Sequence, residues 1–430
     1  MIDIHRILND REAVEKALLK RLKHVDFSEL ITWHEKRKSL QTSTDGKKNQ
    51  RKTLSADIAK KLAKNDDVAD LKATVRTLGQ EIATQETQTR TYNDKIHEFL
   101  THLPNIPEDE VPAGGKENNE PLEYRGAKPV FDFASRDHVE LGTRLGLVDF
   151  DRGTKLGGRG KWVYWGDGAL LEWSLLNYFI DHHRNNGYTF VLPPHLLRLH
   201  SGFVAGQFPK FKDDVYYVAS RSEGPEDHTH FLLPTSETAL ANLYADEVIA
   251  ENDLPIRLCA YTPCYRREAG GYRTNERGTI RGNQFNKVEI FALTTPQESQ
   301  AQFQAIVQAA SGIMDSLGLH YRITRLAAED CSASMAKTYD LEVWLPSIGE
   351  YKEVSSVSTA YTYQAIRGNI RYKDKATKKN KFVHTLNGSA LATSRLVPAI
   401  LEQNQQADGT VAVPKVLQPY IGKEVFAPNP

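Results

Sequence analysis

The chain has 430 residues, of which 40% are hydrophobic and 26% are charged, and its 55 basic and 55 acidic residues balance to a formal net charge of zero. This length exceeds one ordinary hydrophobic core and predicts two or three domains. A chain without net charge is a poor candidate for binding nucleic acid over its whole surface. The overall balance can still conceal segments that carry a strong local charge. No run of about 18 uninterrupted apolar residues occurs, which excludes a transmembrane helix and predicts no membrane association.

The first 16 residues are amphipathic and carry four acids, which signal and transit peptides avoid, so we expect no targeting segment. The three cysteines form neither a disulfide framework nor a CxxC pair; they are Cys259, Cys264 and Cys331. A reducing, cytoplasmic location fits this pattern best.

Residues 27–100 contain no proline and only two glycines. Four apolar residues follow the 4-3-4 spacing of a coiled-coil seam: Leu71, Val75, Leu78 and Ile82. A polar stretch at residues 65–67 supplies a turn, so we predict two long antiparallel helices. The prolines that follow end the second helix, and we place an N-terminal domain at 1–110 and a linker at 111–130.

The first helix of this hairpin is strongly basic. Between Lys36 and Lys64, ten basic residues stand against two acids, a net charge of +8. A solvated helix face is one interpretation, but such faces usually mix signs, and here the imbalance is confined to one helix. We therefore predict that this helix contacts nucleic acid through Arg37, Lys38, Lys47, Lys48, Arg51, Lys52, Lys60, Lys61 and Lys64.

Beyond residue 130, short β-rich segments alternate with helices. Three stretches alternate as antiparallel strands should, at residues 255–266, 284–294 and 382–389. We predict an α+β fold: the N-terminal two-helix coiled-coil arm, then a domain at 131–430 built on an antiparallel sheet flanked by helices.

One strand–loop–strand segment carries candidate chemistry. Alternation places Phe285, Lys287 and Glu289 on one face, and Arg266 ends the preceding strand. If the faces coincide, an arginine that binds phosphate or carboxylate lies beside a ring that stacks on a purine. An ordinary sheet face with a surface ion pair remains the alternative interpretation.

Further sequence motifs are similar to those of one known protein family. The stretch from Tyr265 to Glu268, with RGTIRGNQFNKVE, is similar to motif 2 of class II aminoacyl-tRNA synthetases. Matches to the seryl branch are the TxE at 235–237, KTYDLEVW at 337–344, EVSS at 353–356, HTLNGS at 384–389, Arg395 and QQADG at 405–409. The N-terminal helical hairpin, PNIP at 104–107, DHVELG at 137–142 and GQFPKF at 206–211 fit as well. Together these matches occur in order over about residues 1–425, so the chain resembles a seryl-tRNA synthetase of the bacterial or organellar type.

The resemblance implies a serine–tRNA ligase with ATP and Mg²⁺ as cofactors. The serine carboxylate attacks the ATP α-phosphate, and the seryl group of the resulting adenylate passes to the 3′ end of a serine tRNA. The N-terminal domain would bind the tRNA's long variable arm, and motif 1, at about residues 168–194, would form a homodimer interface.

It also implies roles for single residues. Arg266, Glu353 and Arg395 would be catalytic: Arg266 would hold the α-phosphate and the serine carboxylate, and Arg395 would hold the ATP tail. Phe285 would stack on adenine and Glu268 would lie near its amino group. The full implied ATP site is Arg266, Arg267, Glu268, Phe285, Glu353, Val354, Ser355, Ser356 and Arg395.

Mg²⁺ would be held by Glu353 and Ser356, although plain strand alternation pairs Glu353 with Ser355 instead. The implied serine pocket comprises Thr235, Ser236, Glu237, Arg266, Glu289, Asn387 and Ser389. A small pocket that bonds a hydroxyl rejects alanine and excludes threonine sterically.

The chain departs from the family pattern in several places. Small residues replace motif glycines at 331–334 and 393–394. Pro398 falls inside the expected motif 3 helix, where it costs about 3 kcal/mol outside the first turn. Two alternatives therefore stay open: a specialised paralog that activates another small amino acid, and a catalytically inactive paralog that binds tRNA. The presence of Arg266, Glu353 and Arg395 favours the active ligase.

Overall fold

A computed structural model of the chain describes residues 1–218, 229–268 and 277–428. The chain divides into two units. One comprises Ile4–Glu15 and Lys23–Leu103, and the other comprises Met1–Asp3, Lys16–Leu22 and Pro104–Pro430. Among the described residues, no helix is both long enough and apolar enough to cross a membrane.

The first unit is dominated by two long antiparallel helices, α1 (Ser28–Leu62) and α2 (Ala69–His102). This confirms the helical arm in the predicted fold. The polar turn between them includes Asn65, whose φ of 60° is tolerated by asparagine. Helix α2 ends directly before Leu103-Pro104, because a residue that precedes proline is pushed out of the helical region.

The contact between the two helices is formed by apolar side chains toward both ends of α2 and by polar side chains in its middle. Leu78, Ile82, Ile96 and Leu100 are buried on α2. Midway along α1, the buried Thr44 donates to Gln85 Oε1 at 3.1 Å. Aromatic packing of Phe27 and Trp33 on Phe99 fixes the base of the hairpin, with ring centroids 6.3 and 6.2 Å apart respectively.

The second unit is built on a large sheet, to which the described residues contribute eight strands. In chain order these are β1 (Glu120–Arg125), β2 (Thr189–Val191), β3 (Ile256–Tyr265), β4 (Gln284–Thr294), β5 (Tyr321–Arg325), β6 (Lys337–Leu345), β7 (Glu350–Tyr361) and β8 (His384–Ala392). Their spatial order is β1-β5-β6-β7-β8-β4-β3-β2. All neighbours pair antiparallel except β2, which runs parallel to β3, so the predicted antiparallel sheet is confirmed.

Three long helices pack with this sheet into its main apolar core: α3 (Asp167–Asn185), α4 (Ser299–Ser316) and α5 (Thr393–Gln403). The other described helices and 3₁₀ turns are Ile4–Asn9, Arg11–Leu18, Lys116–Asn118, His138–Arg144, Phe150–Gly157, Leu199–Val204, Lys212–Asp214, Glu237–Leu240, Glu251–Asp253, Tyr363–Arg367, Lys415–Leu417 and Gln418–Ile421.

Small sheets join the remaining strands. They are Val148–Asp149 with Val163–Tyr164; Leu196–Arg198, His230–Leu232 and Tyr216–Val218; Asn380–Phe382, Arg371–Lys373 and Val248–Ala250; and Val411–Ala412 with Val425–Phe426.

Gly388 lets helix α4 approach strand β8 closely. A Cβ at this position would lie 2.6 Å from Cγ2 of Ile306 on α4, so a larger residue would push the helix away. The residues on either side, Asn387 and Ser389, point to the opposite face of the strand because side chains alternate. One face of the sheet therefore packs on α4, and the other is left to line a cleft.

Candidate active site

The cleft lies on the central strands of the sheet and has a volume of about 340 Å³. Strands β3 and β4 pair with Phe285 opposite Cys264 and Lys287 opposite Thr262. Arg266 is two residues after Cys264, so alternation puts Arg266 on the same face of the sheet as Phe285. Nine of the predicted site residues line this space: Thr235, Glu237, Arg266, Glu268, Glu289, Glu353, Ser356, Asn387 and Ser389. An adjoining space of about 700 Å³ adds Arg395, and Phe285 and Val354 line a smaller recess beside it.

Two arginines and one carboxylate gather at one end of the cleft. The guanidinium carbon of Arg266 lies 5.2 Å from the centre of the Phe285 ring. Arg395 Nη1 donates to the backbone oxygen of Glu353 at 2.8 Å and lies 3.3 Å from its Oε2. Desolvation raises the pKa of Glu353, but Arg395 and Arg266 outweigh it, so the pKa falls below its usual value. This end of the cleft suits a phosphate chain beside an aromatic platform.

Strand β7 is irregular at the site. Glu353 pairs with Glu342 and Ser355 with Leu341, so Val354 is an extra residue that bulges out of the ladder. The bulge reverses the alternation, which puts Glu353 and Ser356 together in the cleft. Ser355 is buried and donates to the backbone oxygen of Ser389. Plain alternation, which paired Glu353 with Ser355, was therefore wrong at this position.

The other end of the cleft is a small polar pocket. Lys287 Nζ lies 2.6 Å from Glu289 Oε2 and donates to Thr235 Oγ1 at 2.6 Å. Asn387 Nδ2 donates to Glu289 Oε1 at 3.3 Å. Asn387 Oδ1 is buried and has no hydrogen-bond partner among the described residues. An acceptor left in this condition points to a ligand that donates a hydrogen bond.

Glu237 is the second carboxylate of the pocket. Gln364 Nε2 donates to Glu237 Oε1 at 2.7 Å, and Gln364 Oε1 accepts from Thr385 at 2.7 Å, which fixes the amide's orientation. Desolvation and the nearby charge of Glu289 raise the pKa of Glu237 to about 7. The pocket thus combines two acids with one lysine, and one of the acids titrates near neutral pH.

Three predicted residues lie away from the cleft: Ser355, described above, Ser236 and Arg267. Ser236 is fully buried, with its Oγ 2.7 Å from Thr262 Oγ1. Arg267 is exposed and donates through Nη1 to the backbone oxygen of Asp213 at 3.2 Å. Glu268, by contrast, faces the cleft and pairs with Arg281 at 2.7 Å. The tip of the motif 2 loop, residues 269–276, lies outside the described residues.

Glu353 and Ser356, the predicted ligands of Mg²⁺, line the same part of the cleft. Asp340 is opposite Ser356 in the strand register, and its buried Oδ1 lacks a hydrogen-bond partner among the described residues. Burial and the repulsion of Glu353 raise the pKa of Asp340 well above its usual value. The donor set fits Mg²⁺, which takes one or two carboxylates and completes its shell with water and substrate phosphate.

Eight of the nine predicted nucleic-acid residues lie on helix α1, and Lys64 lies in the turn directly after it. Lys47 and Lys48 pair across the hairpin with Glu81 and Glu86, each at 2.7 Å. Arg37 is half-buried, and the other six are exposed: Lys38, Arg51, Lys52, Lys60, Lys61 and Lys64.

Sequence reasoning did not assign a role to several residues that line the cleft. Lys287 lies between Phe285 and Glu289 on the predicted face, so alternation alone could have included it. Gln207, Ser332, Ser334 and Met335 come from loops and carry no such periodic signal.

Comparison with known proteins gives two family matches. A model described as "Seryl-tRNA synthetase N-terminal domain" matches residues 1–107, and one described as "tRNA synthetase class II core domain (G, H, P, S and T)" matches residues 217–404. The chain is 50% identical over 425 residues to serine–tRNA ligase 2 of Clostridium acetobutylicum, covering 99% of this chain and 100% of that relative.

Solved structures give the same result. The seryl-tRNA synthetase of Pyrococcus horikoshii, crystallised with ATP, superposes with a TM-score of 0.93 at 31% identity, and each chain is covered completely. The cytoplasmic serine–tRNA ligase of Naegleria fowleri, in complex with AMP, has a TM-score of 0.85 at 24% identity and shares the fold over 97% of this chain and 96% of its own.

Proposed function

This chain belongs to the seryl-tRNA synthetase family, and we propose that its cleft activates serine with ATP and passes the seryl group to tRNA. The observation that carries the proposal is the division of one cleft into two ends. Arg266, Phe285 and Arg395 furnish a nucleotide end, and an acid-lined polar pocket lies beside it. The full-length relatives favour this ligase and give no support to a specialised or inactive paralog.

In the first step, a carboxylate oxygen of serine bonds to the α-phosphorus of ATP while the bond from that phosphorus to the bridging oxygen breaks. Pyrophosphate leaves and seryl-adenylate forms. The attacking carboxylate is already ionised, so no general base is required, and stabilisation of charge on the phosphate dominates catalysis. Arg266 would meet the α-phosphate, Arg395 the ATP tail, and Phe285 the adenine ring.

Glu353 and Ser356 would hold Mg²⁺ at this end of the cleft, with Asp340 behind them. The bound cation would neutralise charge on the phosphates. The low pKa of Glu353 keeps its carboxylate ionised for that purpose at neutral pH.

The polar pocket would hold serine. Glu237 and Glu289 would accept from the ammonium group, while Asn387 Oδ1 and Ser389 would meet the hydroxyl. Alanine would leave the buried Asn387 acceptor unpaired, at a cost of about 1–3 kcal/mol. The pocket walls, including the buried Met335, would resist the extra methyl of threonine.

In the second step, a hydroxyl of the terminal ribose of tRNA attacks the adenylate carbonyl and releases AMP. We propose that helix α1 binds the long variable arm of a serine tRNA. Its exposed cations include Arg51, Lys52 and Lys61. Contacts of this kind go mainly to phosphates and sense shape more than sequence.

A second copy of the chain is the proposed partner for the face around α3. Large apolar side chains are exposed there, with Trp165 57%, Trp173 54% and Leu192 70% accessible. Large exposed apolar side chains of this kind are suited to burial in an interface between two chains. We also propose the cytoplasm as the compartment, which fits three cysteines that are all buried and unpaired.

Charging of tRNA tests the whole proposal. Purified chain should attach labelled serine to a transcribed tRNA with a long variable arm. The same tRNA with that arm deleted should be charged at least tenfold less efficiently. Efficient charging with another amino acid, or none at all with serine, would overturn the proposal.

A further inference from the structure

The carbonyl of Ser394 has an unusual hydrogen-bond donor. Pro398, four residues later in α5, has no backbone N–H, so the helix cannot supply the usual bond to this carbonyl. Instead, the hydroxyl of Thr279 donates to Ser394 O at 2.7 Å. Thr279 is 2% exposed and Ser394 is 4% exposed, so water is not a ready substitute. Thr279, which lies outside the helix, thus supplies the hydrogen bond to Ser394 O that Pro398 cannot donate.

The residues that follow Thr279 and Ser394 in sequence are also hydrogen-bonded to each other. The backbone oxygen of Ile280 accepts from Arg395 Nε at 3.2 Å. Two consecutive residues, 279 and 280, therefore hold two consecutive residues of α5. Arg395 then reaches Glu353, to whose backbone oxygen its Nη1 donates at 2.8 Å.

The segment that bears Thr279 is itself held in place. Gly278 has a φ of +72°, and a Cβ there would lie 2.3 Å from Nε2 of His138. The same Nε2 lies 3.2 Å from the backbone oxygen of Arg277. On the other side, Arg281 Nε donates to Glu268 at 2.7 Å. A segment fixed at both ends can locate the first turn of α5.

We infer that Thr279 is a positioning residue for Arg395, and that its hydroxyl is required because residue 398 is proline. The inference rests on the proposed function in one respect, since it takes Arg395 as a ligand of ATP. Without the Thr279 bond, Ser394 O is a buried unpaired acceptor, and the turn that carries Arg395 shifts to relieve it. An ordinary helical N–H at position 398 would make the hydroxyl dispensable.

A double-mutant cycle tests this coupling. The dissociation constant of ATP is measured by calorimetric titration for the unaltered chain, Thr279→Val, Pro398→Ala and the double variant. Thr279→Val should weaken ATP binding about tenfold when residue 398 is proline. The same change should cost less than about twofold in the Pro398→Ala background, where residue 398 regains an N–H. Thr279→Ser, which keeps the hydroxyl, should bind ATP within about twofold of the unaltered chain.

Equal losses in both backgrounds would overturn the inference, as would tight ATP binding by Thr279→Val. If Thr279→Val does not fold beside Pro398, the double variant decides. The inference requires that the double variant folds and binds ATP as tightly as Pro398→Ala does. Weaker ATP binding by the double variant than by Pro398→Ala would contradict the coupling between Thr279 and Pro398.

Kinetics separate positioning from general stability. In ATP–pyrophosphate exchange, Thr279→Val should raise KM for ATP and leave kcat within about threefold. A lower melting temperature with an unchanged KM would show a structural role only and would overturn the inference. The ATP titration needs no turnover, so it tests the role of Thr279 even if the chain does not activate serine. Absence of serine-dependent exchange in the unaltered chain would contradict the proposed function and not this inference.

Discussion

The guanidinium carbon of Arg266 lies 5.2 Å from the centre of the Phe285 ring, at the paired ends of strands β3 and β4. This contact places a guanidinium, a group suited to binding phosphate, directly beside an aromatic surface. A ligand that fills both positions needs a phosphate and a flat ring, which a purine nucleotide has. We therefore expect that substitution of Arg266 lowers the rate of adenylate formation more than substitution of any other residue of the cleft.

Arg266→Ala should reduce serine-dependent ATP–pyrophosphate exchange by about 10²–10³-fold, the usual cost of about 3–4 kcal/mol for losing a contact to developing charge. The neighbouring Arg267→Ala is the matched control, because that side chain is exposed and donates to the backbone of Asp213. It should retain exchange within about threefold. Equal losses in the two variants would contradict the assignment of the cleft.

Serine binding should depend on pH through Glu237. Its pKa is raised to about 7, so the carboxyl is largely protonated below that pH and cannot accept fully from the ammonium group of serine. KM for serine should therefore fall as the pH rises from 6 to 8 and then level off. KM for ATP, measured in parallel, should not follow the same curve.

Glu237→Gln is the control for this titration, since the amide keeps the size of the side chain and cannot ionise. The variant should have a raised KM for serine that is nearly flat between pH 6 and 8. A pH-dependent KM that persists in Glu237→Gln would assign the titration to a different group.

Reversing charge on α1 should weaken tRNA binding selectively. Arg51, Lys52 and Lys61 are exposed, whereas Lys48 pairs with Glu86, so changing Lys48 would also break an ion pair within the hairpin. The triple change of the exposed three to glutamate should raise KM for tRNA at least tenfold and flatten its salt dependence. Serine-dependent ATP–pyrophosphate exchange should stay within about twofold.

An equal change of charge elsewhere provides the comparison. Lys375, Lys378 and Lys379 are exposed in the turn between Arg371–Lys373 and Asn380–Phe382. Their replacement by glutamate should leave KM for tRNA nearly unchanged. A similar rise in both triple variants would mean that tRNA senses overall charge and not the arm.

Gly388→Ala should destabilise the second unit. The added methyl would lie 2.6 Å from Ile306, so strand β8 and helix α4 must separate slightly, at a cost of about 1–3 kcal/mol. Gly312→Ala on α4 meets only the ring of His182, at 3.4 Å, and should be neutral or stabilising. Thermal unfolding of both variants measures this difference, and equal melting temperatures would contradict the packing account.

Trp173→Glu should disrupt self-association. Trp173 is 54% exposed on α3, and a carboxylate there would have to be desolvated in an interface with a second copy. Light scattering after size-exclusion chromatography should give the mass of a dimer for the unaltered chain and of a monomer for the variant. A monomeric unaltered chain would remove this part of the proposal.

Much of the fold follows from periodic patterns. Strand β4 was predicted at residues 284–294 and spans Gln284–Thr294. The shared face of Phe285, Lys287 and Glu289 is likewise a simple consequence of alternation in a regular strand. The two arm helices follow from a long proline-free stretch with an apolar seam.

Other features depend on contacts that no local pattern encodes. The bulge at Val354 reverses the alternation of β7, and a sequence does not mark where a ladder gains an extra residue. Arg267 adjoins Arg266 in sequence, yet its guanidinium turns to the backbone of a distant loop. The donor to Ser394 O comes from Thr279, 115 residues earlier in the chain, so the tolerance of Pro398 inside α5 could not be predicted.

The central claim is that the cleft activates serine, and amino-acid-dependent ATP–pyrophosphate exchange tests it most directly. Purified chain is assayed with serine, threonine, alanine, glycine and cysteine at equal concentrations. The structure predicts exchange with serine that exceeds each of the others at least tenfold in kcat/KM. Preferential exchange with another amino acid, or no exchange with any of the five, would contradict the account.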